Sequence, residues 1–486
     1  ALNAAGTSSN LNEQFIGGAG NDTLVGGGGA DVMYGGVGND TFVLNADNLA
    51  QLASAAGNNA QDIARVSGGH GIDTLQISAT GLTLDVGSFR NGAVSGIERL
   101  DLNSASNVLK MNLADVMSLA GSDINGTTPV LDDSNNIFNT TNGWTATSSG
   151  GATGWGAINR AQQMLVDGDA SNVLRLSGTW DILGTVQNTS GTVYQVVANS
   201  LNNVQVLVNS HVQLFLAPRL DMTANELPGG LNYTEATSSG DTPLQISLAS
   251  TGALAGNTLQ INWNGQLVNY TLTPTDISNG FATVPVPTST LTAATPVGTA
   301  TAVDTTVTLL DGANALTQSG VQSIATNFII PTAPTINSAV WAATGAGNTS
   351  ALSGIPEAQV SGFGSTFAGI TGPVDNKLYY NEVSNTANLG TVMRVQLPTA
   401  GVAGATNPAL AGDTLTVTWG DQTLSGYTLL AADITAKYVD ITVPFATIDS
   451  QAFGNVVVTA VVTSATSGNK SPAATLTVDW AFDLPL

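Results

Sequence analysis

Large apolar residues recur at a regular spacing near the start of the chain, each two positions after an aspartate. Leu24, Met33 and Phe42 stand nine residues apart, and residues 17–43 divide into three tandem glycine-rich nonapeptides without a gap. Each unit predicts a glycine turn followed by a short strand that buries its apolar residue. A turn plus a strand is half of a coil, so one full coil takes two units.

The aspartates of these units recur with the same period. Asp22, Asp31 and Asp40 each follow glycines, which permit positive-φ turns that point backbone carbonyls inward. Because alternate loops stack on the same edge, Asp22 and Asp40 are predicted to share one ion, while Asp31 faces the other edge. Ca²⁺ takes roughly six to eight oxygen ligands, a mixture that carboxylates and carbonyls supply. The predicted carbonyl ligands are Gly18, Gly20, Gly27, Gly29, Gly36 and Gly38.

Further units flank this block. A fourth complete unit spans residues 68–76 and carries Asp73, and a degenerate unit with Glu13 at the aspartate position precedes the first. The segment between the third and fourth units predicts a short N-capped helix over residues 47–53. Asp62, near the end of that segment, is a further ligand candidate, with a plain surface loop as the alternative.

The repeats resemble the RTX (repeats-in-toxin) family over roughly residues 13–77, and they fit the calcium-binding nonapeptide pattern of parallel β-helices. A flexible glycine-rich linker is not favoured, because a linker has no reason to repeat an aspartate and a large apolar residue in phase. The resemblance implies a parallel β-roll that binds Ca²⁺. It does not define the function, since proteases, lipases, toxins, adhesins and surface-layer proteins all carry such repeats.

Short alternating strands predominate after the last repeat. Residues 95–102 (Ser-Gly-Ile-Glu-Arg-Leu-Asp-Leu) and 165–170 resemble the domain that follows the repeats in large RTX adhesins. Within the second stretch, Asp167 and Asp169 flank a glycine and are candidates for another Ca²⁺ site. An ordinary acidic turn is the alternative. Residues 109–119 predict a short helix.

The remainder of the chain consists of two similar halves. Residues 255–263 (Ala-Gly-Asn-Thr-Leu-Gln-Ile-Asn-Trp) match residues 411–419 (Ala-Gly-Asp-Thr-Leu-Thr-Val-Thr-Trp). The offset is too long for a solenoid repeat and indicates a domain duplication. Alternating strands separated by turns are typical of a β-sandwich. Both halves resemble bacterial immunoglobulin-like (Ig-like) domains of large adhesins, and Pro331 and Pro334 mark an extended connector between them.

The sequence therefore predicts an all-β protein, in which a parallel β-roll is followed by a β-rich domain and two Ig-like β-sandwich domains. The β-roll, with its helical insertion, is assigned to residues 1–77. The β-rich domain is assigned to residues 78–220, the first sandwich to 221–333, and the second sandwich, with an extra N-terminal segment, to 334–486.

Charge and composition narrow the range of functions. The 486 residues include 34 acidic and 11 basic side chains, a net charge of −23. Nucleic acid is therefore not an expected partner, because phosphate contacts need clustered Lys and Arg. The chain has no cysteine and no apolar run of membrane-spanning length. Metal sites are therefore expected to take the stabilising role that disulfides have in many extracellular proteins.

An extracellular or bacterial cell-surface location is expected. The apolar tail after Asp483 is similar to the C-terminal signal of type I secretion substrates, with a frayed last strand as the alternative. The chain also lacks the motifs of common hydrolases. His70 and His211 are not in an H-E-x-x-H motif, no serine lies in a G-x-S-x-G elbow, and the remaining acidic residues are scattered. We therefore expect that the protein is not an enzyme.

Two functions remain open. The first is a secreted structural protein that folds on binding Ca²⁺ and self-assembles with its own copies into a surface layer, sheet or filament. The second is a fragment of an RTX adhesin whose Ig-like domains bind glycans or cell surfaces. In both cases the acidic loops repel one another where Ca²⁺ is scarce, and extracellular Ca²⁺ drives folding.

Overall fold

The computed structural model shows a chain built mostly from β-strands with a few short helices, which confirms the predicted all-β fold. It describes residues 2–3, 11–54, 64–103, 105–120, 143–147, 162–199, 204–221, 230–237, 241–343, 377–379, 390–402, 404–424 and 426–481. The chain divides into two compact units. The first contains residues 1–224, 244–284 and 304–322, and the second contains residues 225–243, 285–303 and 323–486.

The first unit is built on a long sheet, sheet A, which begins within the repeats and continues beyond them. Its strands are in register, so that Phe42 lies between Leu24 and Leu75. The parallel strands of sheet A are Leu2–Asn3, Thr23–Val25, Thr41–Leu44, Thr74–Ile77, Arg99–Asp101, Gln162–Asp167 and Val204–Asn209. The antiparallel strands that extend it are Val193–Asn199, Asp181–Gln187 and Thr145–Ala146.

Two further parallel sheets complete the coils. Sheet B consists of Gln14–Ala19, Val32–Val37, Arg65–His70 and Val94–Ser95. Sheet C consists of Thr83–Asp85, Val108–Met111, Val173–Leu176 and Gln213–Leu216. The chain passes from one sheet to the next and returns, and each new turn pairs in parallel with the turn before it. Sheet A and the stacked coils therefore continue past residue 77.

The register confirms that one coil takes two nonapeptides. Asp22 and Asp40, which are 18 residues apart, occupy the same position in successive coils. The next coil is longer, because the predicted helix is inserted and spans Ala46–Ala53. Asn45 is its N-cap, and the Asn45 side chain accepts hydrogen bonds from the backbone N–H groups of Asp47 and Asn48.

Apolar side chains fill the interior of the coils. Leu24, Met33 and Phe42 are almost completely buried, as the repeat pattern predicts. Burying a large apolar side chain stabilises a fold by about 1.5–3 kcal/mol, so each coil contributes a similar increment. The same core continues through Leu100 and Val166, which stack in register after the repeats.

The helix predicted over residues 109–119 is only partly correct. Val108–Met111 is a strand of sheet C, and the helix is confined to Leu113–Leu119. Leu109 is buried because its strand pairs with strands of the coils before and after it. Tertiary pairing therefore overrides the local helical pattern.

The first unit also contains much of the first sandwich half. The strand Thr258–Trp263 pairs antiparallel with Gln266–Thr271 and with residues 305–310, and Asn314–Gln318 pairs with the strand Ala300–Asp311. A three-stranded sheet consists of Arg219–Asp221, Asp241–Ser247 and Phe281–Pro287. The remaining helices are Pro274–Asn279 and a 3₁₀ turn at Val86–Ser88.

The second unit contains the second sandwich half. Its larger sheet has the order Lys377–Tyr379, Ala474–Ala481, Gly454–Thr463, Thr414–Trp419 and Gln422–Thr423, with Tyr427–Thr428 also paired to Thr414–Trp419. The smaller sheet consists of Thr335–Ala343, Gly390–Gln396 and Tyr438–Pro444. The strands Leu231–Asn232 and Gln322–Asn327 pair in parallel. The helices among the described residues of this unit are Tyr233–Thr237, Thr288–Ala294, Ala431–Ala436 and Phe445–Asp449. No helix among the described residues has the length and apolar composition needed to cross a bilayer.

One small motif recurs in both halves. The Tyr270 hydroxyl donates to Oδ2 of Asp276 at 3.1 Å, and the Tyr427 hydroxyl donates to Oδ2 of Asp433 at 3.0 Å. Each aspartate also accepts the backbone N–H three residues before it, at the start of a short helix. The shared geometry supports the duplication inferred from the sequence.

Candidate metal centre

Four acidic side chains stack along one edge of the coils, and we call Asp22, Asp40, Asp73 and Glu98 the acidic ladder. Each directly precedes a strand of sheet A in a successive coil. The backbone N–H of Asp22 donates to Oδ1 of Asp40 at 2.8 Å, and that of Asp40 to Oδ1 of Asp73 at 2.7 Å. The N–H of Asp73 donates to Oε2 of Glu98 at 2.9 Å. Each coil therefore places its acid against the backbone of the preceding coil.

The inner part of the ladder is shielded from water. Asp40 and Asp73 are 0% exposed, and Glu98 is 3% exposed. The Oδ2 atoms of Asp40 and Asp73 are inaccessible to solvent and accept no hydrogen bond from any described residue. A buried carboxylate oxygen without a partner is costly. Burial accordingly raises the pKa of Asp73 to about 6 and the pKa of Glu98 to about 7.

Glycine backbone lies against these unpartnered oxygens. A Cβ on Gly35 would collide with Oδ2 of Asp40 and with the carbonyl oxygen of Gly68. A Cβ on Gly68 would collide with Oδ2 of Asp73 and with the carbonyl oxygen of Gly96. Any larger residue at these positions would fill the space between a carboxylate and a carbonyl of the next coil. This close approach accounts for the first glycine of the repeat.

The predicted carbonyl ligands lie in the expected turns. The carbonyl oxygens of Gly18 and Gly20 face the Cα atoms of Gly36 and Gly38, where a Cβ would collide with them. These carbonyls therefore lie between stacked loops. The φ angles of the six glycines are 100° for Gly18, 105° for Gly20, 78° for Gly27, 95° for Gly29, 117° for Gly36 and 123° for Gly38. Their role as ligands stays a prediction.

The groups at the ladder fit calcium chemically. Carboxylate and carbonyl oxygens are the ligands that Ca²⁺ prefers, and no sulfur or imidazole ligand is needed. Among the residues that the structure describes, no three His, Asp or Glu side chains form a metal cluster by themselves. A full coordination shell at the ladder would need oxygens besides these side chains, and the backbone carbonyls stay the predicted source.

The opposite edge of the coil is built differently. Asp31 lies there, as the register predicts, and its Oδ1 accepts the backbone N–H of Glu13 at 2.8 Å. Its Oδ2 accepts a hydrogen bond from Nδ2 of Asn48 at 2.9 Å, and Asn48 also donates to the carbonyl of Gly29 at 3.1 Å. An amide from the inserted helix therefore contacts the oxygen whose counterpart in Asp40 is unpartnered. Burial raises the pKa of Asp31 to about 7.

The two later candidates have other partners. Oδ2 of Asp167 accepts a hydrogen bond from Nε of Arg99 at 2.7 Å, and its Oδ1 accepts one from the Tyr194 hydroxyl at 2.7 Å. These donors occupy both carboxylate oxygens, which argues against Asp167 as a calcium ligand, although its assignment stays a prediction. Oδ1 of Asp169 accepts the backbone N–H and the hydroxyl of Ser171, at 2.9 and 2.6 Å, which is the acidic turn that the sequence left open. The assignment of Asp169 as a ligand also stays a prediction.

Two further residues complete the comparison with the sequence. Asp62 lies outside the described residues, so its assignment stays a prediction. The repeat pattern does not single out Glu98 as a ligand, because its segment lacks the full nonapeptide spacing. A signal was nevertheless present, since residues 96–100 (Gly-Ile-Glu-Arg-Leu) repeat the order of glycine, acid and apolar residue found in residues 71–75 (Gly-Ile-Asp-Thr-Leu).

Comparisons with known proteins match the first part of this site to a calcium-binding family. The RTX calcium-binding nonapeptide repeat family, in a form with four copies, matches residues 7–42. No curated protein sequence matches the chain. Among solved structures, similarity is found to a 1.5-MDa bacterial ice-binding adhesin, with 15% identity over 62% of this chain and 75% of that chain and a TM-score of 0.24.

Two other solved structures are similar to a comparable degree. A Ca²⁺-stabilized adhesin with which an Antarctic bacterium binds ice has 16% identity over 63% of this chain and 65% of that chain, with a TM-score of 0.26. The fibronectin(III)-like modules of Clostridium thermocellum CbhA have 10% identity over 55% of this chain and 94% of theirs, with a TM-score of 0.24. TM-scores this low do not establish a shared fold. The match to RTX calcium-binding nonapeptide repeats is therefore shown for residues 7–42, the segment that contains Asp22, Asp31 and Asp40.

Proposed function

We propose that this protein is an extracellular, calcium-dependent structural protein whose N-terminal coils fold when Ca²⁺ binds. The observation that carries the proposal is the pair of buried, unpartnered Oδ2 atoms of Asp40 and Asp73, which require a cation when the carboxylates are ionised. The proposed ligands are the carboxylates of Asp22, Asp31, Asp40 and Asp73 and the carbonyls of Gly18, Gly20, Gly27, Gly29, Gly36 and Gly38. Of the four carboxylates, that of Asp31 is the least available to an ion, because Nδ2 of Asn48 already donates a hydrogen bond to its Oδ2.

Calcium supplies positive charge between the coils, and the chain supplies an arrangement of oxygens that exists only when the coils are stacked. Without the ion, stacking brings several buried carboxylates together in a chain whose net charge is already −23. Ligand binding to the folded state alone stabilises it, so calcium binding and folding are coupled. Extracellular calcium modules commonly have Kd values of about 10⁻⁴–10⁻³ M. Such a Kd suits export of an unfolded chain, for instance by type I secretion, followed by folding outside the cell.

Limited proteolysis tests this proposal. The full chain and a variant with Asp22→Ala and Asp40→Ala are digested in Ca²⁺ and in chelator, with mass spectrometry of the fragments. We expect Ca²⁺ to protect residues 11–54 and 64–103 of the natural chain, and we expect the variant to be cut there while its sandwich halves stay resistant. Asp181→Ala is the control, because Asp181 is an exposed residue that pairs with Arg219 outside the ladder. Equal resistance of the double variant and the natural chain would contradict the proposal.

Self-assembly into a surface layer, sheet or filament is a more specific form of the same proposal. It is supported by the low proportion of charged residues, 9%, together with a net charge that bound cations partly neutralise. Sedimentation velocity of the chelated chain, as Ca²⁺ is added back, tests it. Compaction followed by large species supports assembly among copies of the chain. Compaction to a stable monomer rejects assembly.

An adhesin that binds cell-surface glycans is the second candidate. Thr423, Thr418, Thr459 and Thr475 lie side by side across four strands of the second sandwich. The residues that alternate with them, such as Trp419, belong to the core, so this row of hydroxyl groups faces away from it. Hydroxyl groups both donate and accept hydrogen bonds, so such a row suits contact with sugars. A glycan array tests the candidate: no bound glycan, or equal binding after Thr418→Val and Thr459→Val, would reject it.

A further inference from the structure

We propose that Glu98 completes an additional calcium site, between the last nonapeptide and the coil that follows it. This inference rests on the proposed function, since it takes calcium binding at the ladder as its starting point. The nonapeptides end at residue 76, but the ladder continues for one more coil. We call the space between two successive acids of the ladder an interval. The new site lies in the interval between Asp73 and Glu98, beyond the interval of Asp22 and Asp40 and that of Asp40 and Asp73.

The contact between Asp73 and Glu98 reproduces the contacts within the repeats. The N–H of Asp73 lies 2.9 Å from Oε2 of Glu98, compared with 2.7 Å from the N–H of Asp40 to Oδ1 of Asp73. The other oxygen of Asp73, Oδ2, is fully buried and accepts no hydrogen bond from the described residues. A second acid, Glu98 of the next coil, lies beside Asp73. The unpartnered oxygen of Asp73 next to this second acid is the observation that indicates a cation.

The glycine that borders the interval is also equivalent. Gly68 approaches Oδ2 of Asp73 and the carbonyl of Gly96 so closely that a Cβ would collide with both. Gly35 has the same relation to Asp40 and to the carbonyl of the next coil. Each component of an interval inside the repeats is therefore present here: a buried free carboxylate oxygen, an acid from the next coil and an adjacent carbonyl. Oxygen ligands of this kind select a hard divalent cation such as Ca²⁺.

The ladder ends at Glu98. In the next coil Leu165 donates its N–H to the carbonyl of Glu98 at 2.8 Å, and Met164, which precedes it, is apolar and fully buried. Arg99, the cation closest in sequence, is paired with Asp167 and is not available to neutralise Glu98. The proposed ion therefore binds at the last step of the ladder, between the coil of the fourth nonapeptide and the coil that contains Glu98.

Calcium stoichiometry of the full chain tests the inference. Glu98→Gln keeps an oxygen that accepts the N–H of Asp73 but removes the charge. Asp101→Asn is the matched control. Asp101 lies in the strand that directly follows Glu98, and its Oδ2 accepts a hydrogen bond from the Gln76 side chain, so it is not part of the ladder. Isothermal titration and equilibrium dialysis with Ca²⁺ should show one ion fewer for Glu98→Gln than for the natural chain, and no change for Asp101→Asn. An unchanged number and affinity of ions in Glu98→Gln would overturn the inference.

Thermal unfolding in chelator separates a lost ion from a damaged fold. Glu98→Gln removes a buried charge, so at pH 8 without Ca²⁺ its coils should be at least as stable as those of the natural chain. In Ca²⁺ the same variant should be less stable than the natural chain. A variant that is less stable in both conditions would show a structural role only and overturn the inference. If the natural chain bound no Ca²⁺, the proposed function itself would fail, which is a different result from equal binding by the two chains.

Discussion

The backbone N–H of Asp40 lies 2.7 Å from Oδ1 of Asp73, a residue 33 positions further along the chain. The equivalent contact joins Asp22 to Asp40 across 18 residues. The length of chain between the acids changes with the inserted helix, but their stacking does not. Asp40 therefore borders two intervals of the ladder, and its removal affects both.

Asp40→Asn should reduce calcium binding more than any other single change in the repeats. The amide keeps the acceptor for the N–H of Asp22 but loses the charge that both neighbouring intervals use. At a Ca²⁺ concentration of about 100 times Kd, one ion stabilises the fold by about 2.7 kcal/mol, so the variant should lose up to about 5 kcal/mol in Ca²⁺. Thermal unfolding and calcium titration measure this, with Asp181→Asn as the control. A loss equal to that of the control would contradict the ladder as the binding site.

Gly35→Ala should weaken calcium binding through sterics alone. The added Cβ collides with Oδ2 of Asp40 and the carbonyl of Gly68, and Gly35 is not in a positive-φ conformation. Overpacking of this kind costs about 1–3 kcal/mol. Gly81→Ala is the control, since its φ of 65° is strained by a side chain while nothing lies near its Cβ. We expect both variants to be destabilised and only Gly35→Ala to lose calcium affinity, measured by titration calorimetry; equal affinities would reject the steric argument.

The chelated protein should be more stable at acid than at neutral pH. Burial raises the pKa of Asp40, raises that of Asp73 to about 6 and raises that of Glu98 to about 7. Between about pH 4 and about pH 7 the unfolded chain releases these protons while the folded chain retains them, so the free energy of unfolding falls as pH rises. Chemical denaturation in chelator across this range measures the slope.

Saturating Ca²⁺ should reverse that pH dependence. Protons compete with the ion for the same carboxylates, so the calcium-loaded coils should become less stable as the pH is lowered. The same denaturation series in Ca²⁺ provides this comparison. A chelated protein whose stability rises between pH 4 and pH 7 would contradict the assignment of buried, cation-requiring carboxylates.

Asp167→Asn should destabilise the later coils without changing calcium stoichiometry. Its carboxylate accepts hydrogen bonds from Arg99 and from the Tyr194 hydroxyl, and burial together with this bond raises the pKa of Tyr194. Weakening a hydrogen-bonded charge pair of this kind costs about 1–3 kcal/mol. Calorimetry with Ca²⁺ and thermal unfolding give the two readouts. A reduced number of bound ions would restore Asp167 as a ligand.

The repeat part of the fold was predictable because its information is local. The spacing of Asp22 and Leu24, repeated at Asp40 and Phe42, defines the strand, the buried position and the coil length together. A one-residue shift in register would expose the whole apolar row, so the register is strongly determined. The nine-residue spacing of the acids also predicts that Asp31 lies on the opposite edge of the coils from the acidic ladder.

The remaining features depend on contacts between distant residues. Arg99 and Asp167 meet across 68 residues, and nothing near either residue in the sequence indicates the pair. The approach of Asn48 to Asp31 depends on how the inserted helix folds back on its loop. Coils of unequal length also hide the continuation of sheet A past residue 77, since the acids at Asp73 and Glu98 no longer follow a fixed period.

Hydrogen–deuterium exchange of the full chain, in chelator and in Ca²⁺, tests the central claim most directly. Peptides covering residues 11–54 and 64–103 report on the coils, and peptides covering residues 426–481 provide an internal reference in the second sandwich. The account predicts strong protection of the coil peptides in Ca²⁺, much faster exchange of the same peptides in chelator, where the coils are less stable, and no change in the reference. Coil peptides that exchange equally slowly in both conditions would contradict it.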